Sequence, residues 1–131
     1  MTAQEYINRG FAVSAHLEQA IIDRAEADVR AAYITPIVGE PTADEPTAVA
    51  DALANLAFLA MLQRNVFATR SGAKMKQTND SREADVFVVL REQAHTCAMK
   101  IERLRGLPNA NATAKVTDIC RIYYKTNFLS M

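Results

Sequence analysis

Residues 48 to 68, AVADALANLAFLAMLQRNVFA, are apolar on nearly every helical face. Val49, Leu53, Leu56 and Ala60 mark one face, while Phe58, Leu59, Leu62 and Val66 cover others. A helix of this kind cannot lie on a surface with one side in water; other elements or a partner must enclose it. This segment therefore predicts a central helix with the rest of the chain arranged around it. Its longest apolar run, Ala52 to Leu62, is broken only by Asn55 and bounded by Asp51, Gln63 and Arg64. That is too short to cross a bilayer.

What surrounds the segment is also helical in composition. Among 131 residues there are 23 alanines against four glycines and four prolines. Alanine is the best helix former, and glycine and proline are the worst. The length suits one domain. The expected architecture is a single all-α domain of about four main helices in a bundle, over residues 1–124, with an extended C-terminal arm over 125–131. Glu5 and Arg9 interrupt the N-terminal stretch where a secretion signal needs an apolar run, so none is expected. Two cysteines, Cys97 and Cys120, are too few for a disulfide framework and read as buried reduced thiols.

Punctuation divides the chain. Thr2 and Glu5 form a capping box for a short first turn that Gly10 closes. Leu17, Ile21, Ala25, Val29 and Ala32 predict the buried stripe of a helix from about Ala15 to Ile34, with Glu26 and Arg30 paired on its surface. Thr35-Pro36 should stop that helix and open an acidic loop over residues 35–46. Thr47 then caps the central helix. A polar stretch, residues 69–80, precedes a helix from Ser81 to Arg105, started by Asp80 and Glu83. Its predicted buried stripe is Phe87, Leu90, Ala94, Cys97, Ile101 and Leu104. Arg103 and Arg105 suit its C-terminal dipole, and Gly106 and Pro108 end it. Residues 116–124 mix helical spacing with strand-forming side chains; a short helix to about Tyr124 is expected.

Few constellations carry chemistry. Glu92 and His95 have the Glu-x-x-His spacing of a di-iron bundle, which needs a second such pair. His16 is the only other histidine, and Val13 stands three residues before it. No cofactor or metal is expected. Arg70-Ser71-Gly72-Ala73-Lys74 has one glycine where a phosphate loop needs two, and it lies between helices rather than after a strand. No catalytic residue is assigned, and the chain reads as non-enzymatic.

Charge is more informative. The formal net charge is zero, which excludes a uniformly basic DNA-coating protein. Residues 1–60 hold three basic and nine acidic residues, giving −6; residues 61–131 hold twelve basic and six acidic, giving +6. Arg64, Arg70, Lys74, Lys76 and Arg82 make the stretch 64–82 the most basic. These charges either pair with the acidic half of the same fold, or meet phosphates, or meet the acidic face of a neighbouring copy. The C-terminal end, with Tyr123, Tyr124, Lys125, Phe128 and Leu129, either docks in its own core or inserts into a partner.

Three segments together resemble the head–tail connector (adaptor or head-completion) proteins of tailed phages. They are RAEADVRAAYITPIVG at 24–39, ATRSGAKMKQTNDS at 68–81 and IYYKTNFLSM at 122–131. The resemblance implies a homo-oligomeric ring, typically twelve-fold, beneath the portal protein, with a further connector or tail protein on its other side. It implies transient contact with packaged DNA, no membrane partner, and a location at the virion head–tail interface after assembly in the host cytoplasm. Tyr123 to Met131 would be the portal-docking arm. Arg70, Lys74 and Lys76 would face the channel or a neighbour. Such connectors often begin with a helix at the N-terminus, and the short segment before Gly10 departs from that. Two other readings stay open: a small helical nucleic-acid-binding protein using the 64–82 segment, and a helical enzyme or metal-binding bundle.

Overall fold

A computed structural model describes residues 1–71, 80–116 and 119, with the backbone alone for 65–71 and 80–87. The fold is all-α. In chain order the elements are α1 (Ala3–Asn8), α2 (Gln19–Val29), a π turn (Arg30–Ile34), α3 (Thr35–Val38), α4 (Thr47–Ser71) and α5 (Asp80–Arg105). Because α2, the π turn and α3 run on without a break, the described residues form four helical segments.

The central helix is α4, as its sequence requires. Ala48, Val49, Ala52, Leu53, Ala54, Leu56, Ala57, Phe58, Leu59 and Met61 are all buried, and they point in every direction around the helix. Both α2 and α5 pack chiefly on α4. The N-terminal segment adds a third cover: the Phe11 ring sits 4.8 Å from Phe58 and 5.7 Å from Tyr6, centroid to centroid. Helix α5 turns Leu90, Ala94, Cys97, Ile101 and Leu104 inward, the predicted stripe. Phe87 belongs to the residues whose side chains are not described. The capping box of α1 is formed, with the Glu5 amide donating to Thr2 Oγ1 at 3.2 Å and the Thr2 amide to Glu5 Oε1 at 3.2 Å.

Four expectations for the second helix need correction. It begins at Gln19 rather than near Ala15, so Leu17 lies ahead of it. Its buried stripe is Ile22, Ala25, Val29 and Tyr33, whereas Ile21 is 42% exposed and Ala32 is exposed. Steps of three, four and four from Ile22 fit the helical period, while the predicted stripe, drifting from Ile21, crosses to the wet side. Thr35-Pro36 does not stop the helix. Proline lacks the N–H for an i→i−4 bond, and its ring collides with the carbonyl four residues back. The backbone widens by one residue instead, the Thr35 amide donating to the Arg30 carbonyl, and continues to Val38. That turn brings both Tyr33 and Ile34 to the core. Gly39 ends the segment at φ 84° and ψ −171°, a conformation that side-chain-bearing residues avoid. Nor do Glu26 and Arg30 pair with each other: Arg30 makes a forked bond to Glu45, at 3.0 and 3.3 Å, and Glu26 serves the N-terminal segment.

Candidate functional site

The sequence singled out two sites, and the described residues reach the edge of each. Arg64 lies exposed on α4 and its guanidinium pairs with Asp28 of α2 at 2.5 Å. Arg70 falls in α4 and Arg82 in α5, near the ends that the 72–79 connection joins. Their side chains, and all of Lys74 and Lys76, lie outside the described residues. So do Tyr123, Tyr124, Lys125, Phe128 and Leu129, together with Cys120 and the expected helix to Tyr124.

The root of the C-terminal segment is described, and it is firmly held. Past α5, Leu107, Ala110, Ala114 and Val116 pack against the core. The Arg105 guanidinium donates from Nη1 to the carbonyls of Ala112 and Ala114, at 3.0 and 2.6 Å. Its Nε reaches Glu102 Oε1 at 3.3 Å. The Asn111 amide donates to the Ile37 carbonyl of α3 at 2.7 Å. Asn109 takes a left-handed φ of 64°, which asparagine tolerates. Ile119 is buried, so the chain is anchored in the core immediately before its aromatic end. Sequence reasoning placed Arg105 at the helix dipole and missed the clasp. Its acceptors are backbone carbonyls, which leave no mark in the sequence.

The two charge halves interleave where they are described. Arg64 meets Asp28, and Lys100 meets Asp51 at 2.6 Å, each pair joining the basic part of the chain to the acidic part. The Lys100–Asp51 pair continues inward. Asn55 Nδ2 donates to the Asp51 carbonyl at 2.8 Å, and Gln93 Nε2 donates to Asn55. This polar seam ties α4 to α5 through the one interruption in the apolar run.

A second cluster lies under the N-terminal segment. Tyr6 is fully buried, and its hydroxyl donates to Glu26 Oε2 at 2.8 Å. The Met1 ammonium reaches the same carboxylate at 2.9 Å. Burial, and then the adjoining carboxylate, push the Tyr6 phenol well above its ordinary pKa, so it holds its proton as a donor.

Glu92 and His95 are both exposed on the outer side of α5. Among the described residues no three of His, Cys, Asp and Glu are grouped to hold a metal ion. Within the same residues no helix is long and apolar enough to cross a membrane. The chain matches no family model, no curated protein and no solved structure.

Proposed function

We propose that this chain is a non-enzymatic structural subunit of the ring at the head–tail junction of a tailed phage. In this reading the bundle forms the ring wall around the DNA channel, and the C-terminal arm docks on the portal. The observation that supports it best is the anchored root. A docking arm needs a fixed origin, because a tether that wanders loses effective concentration at its target. Arg105, Asn111 and Ile119 supply that origin directly before Tyr123, Tyr124, Phe128 and Leu129. The enclosed α4 supports it as well, since a rigid bundle can transmit position from a neighbour to the arm. A channel wall tolerates DNA without gripping it, because many strong phosphate contacts would hinder sliding. The two cross-half ion pairs fit a wall whose charges are partly met within each copy.

The reading is tested by mixing the purified chain with portal particles from the virion that encodes it. Electron microscopy should show a ring of this chain seated on the portal. A chain that never joins the portal, at any concentration, contradicts it.

A further inference from the structure

We propose that the outer face of α5 is a self-association surface on which a second copy of this chain docks, antiparallel and about a two-fold axis. The proposal stands apart from the ring reading: a ring contact joins unlike faces, whereas a two-fold contact joins a face to itself.

The face consists of Arg91, Glu92, His95, Met99, Glu102 and Arg103, all exposed. Met99 is 73% exposed, the highest value among the large apolar side chains described. It stands near the middle of the face, opposite the buried Leu90, Ala94, Cys97, Ile101 and Leu104. With His95 one turn earlier it forms a ridge along the helix.

The charges flanking this ridge have a specific symmetry. At about 100° per residue, Arg91 and Glu102 lie about 20° apart on one flank, roughly 50° from the ridge. Glu92 and Arg103 lie about 20° apart on the other flank, at the same angle. Along the axis both pairs are centred on the level of Cys97. A two-fold axis through that level reverses the helix direction and keeps each flank facing the same flank of the partner. Arg91 then meets the second copy's Glu102, and Glu92 meets its Arg103, each within one residue's rise. Symmetry doubles these to four ion pairs of correct sign, and His95 lies against the second copy's Met99. A parallel two-fold arrangement would instead face one flank with the other, Arg91 with the second copy's Glu92 and Glu102 with its Arg103, but it aligns the two helix dipoles and sets each His95 against the other.

Within one chain these charges are little used. Arg91, Glu92 and Arg103 have no ion pair in the described structure. Glu102 touches Arg105 through one oxygen and keeps its side chain 75% exposed. A surface ion pair standing alone contributes little. Four that close around a covered methionine act together, and the antiparallel order also opposes the two helix dipoles. The contact is small, so the association is weak and depends on concentration.

The test is sedimentation equilibrium of the full chain, from the micromolar range to about a millimolar, where weak contacts of this size become populated. The wild type should show a monomer–dimer equilibrium. Arg91→Glu alone, and Glu102→Arg alone, each set like charges together and should weaken the dimer about ten-fold or more. Combining the two substitutions restores opposite signs and should recover the wild-type constant to within about three-fold. Both residues are exposed, so helix content by circular dichroism should stay constant. A wild type that is monomeric throughout overturns the proposal, as do single variants that dimerise normally or a double variant no better than the singles. None of these outcomes bears on whether the chain joins a portal.

Discussion

Gln93 Nε2 donates to two oxygens of Asn55, its backbone carbonyl and its side-chain Oδ1, each at 3.1 Å. Asn55 is the one buried polar residue among those described, and it sits in the middle of the apolar run of α4. Its side-chain nitrogen is satisfied by Asp51 and its oxygen by Gln93, so the buried amide is fully occupied. Such a pair fixes how α4 and α5 slide past each other. A shift of one turn would leave the buried Asn55 oxygen without its donor.

Removing one partner should therefore be worse than removing both. Gln93→Leu leaves the Asn55 oxygen buried and unpaired, which should lower unfolding free energy by about 1–3 kcal/mol. Adding Asn55→Leu should recover much of that loss, since an apolar pair has no donor to satisfy. Urea unfolding of the two single variants and the double gives the coupling. Strictly additive losses would mean that the two amides are not linked.

Much of this fold was legible in the sequence, and the failures have physical causes. The encircling apolar pattern of residues 48–68 demanded burial on all sides, and α4 has it from Ala48 to Met61. The stripe from Leu90 to Leu104 repeated with helical period and faces inward. The capping box at Thr2 and Glu5 is purely local, and it formed. Pro36 misled because a proline can end a helix or widen one turn of it, and packing of Tyr33 and Ile34 decides which. The surface pair Glu26–Arg30 was reasonable by spacing, but tertiary partners outbid it: Tyr6 and Met1 for one, Glu45 for the other. The Arg105 clasp was illegible because its acceptors are backbone carbonyls, which carry no sequence signature. For the basic stretch 64–82, the pairing of Arg64 with Asp28 depended on how α2 and α4 cross, which no local pattern specifies.

Tyr6 gives a pH prediction. Its pKa is raised in the folded chain, so the unfolded chain loses its phenolic proton first as pH rises. The tyrosine contribution is thus intact below the unfolded value, about 10, and declines as pH climbs above it. Tyr6→Phe removes the bond to Glu26 and should lower stability at neutral pH by about 1.5–3 kcal/mol, the range for hydrogen bonds to charged groups. It should also lessen the fall in stability above about pH 10. Thermal melts of both proteins from pH 7 to 11 check this. Parallel curves for the two would remove Tyr6 as the source of the alkaline loss.

Gly39 isolates a backbone effect. A Cβ built there meets nothing within 4 Å, so no collision opposes a side chain. Its φ of 84° with ψ of −171° is nevertheless open in practice only to glycine. Gly39→Ala should therefore lower stability by about 1–3 kcal/mol from strain alone. An unchanged denaturation midpoint would mean that the segment between α3 and α4 relaxes freely.

Arg105→Ala should release the loop of residues 106–116 while leaving the bundle folded. Two backbone carbonyls lose a charged donor, so amide exchange at Asn111 to Val116 should accelerate, with a global loss of about 1.5–3 kcal/mol. Arg105→Lys should recover only part of the protection, because an ammonium lacks the planar fork. Exchange unchanged in this loop would show that Asn111 and Ile119 hold it without the arginine.

The claim that the C-terminal segment is a docking arm is tested most directly by deleting residues 125–131. The truncated chain should keep the helix content and melting temperature of the full chain and yet fail to join portal particles that the full chain decorates. A truncated chain that binds the portal as well as the full one, or one that no longer folds, contradicts the account.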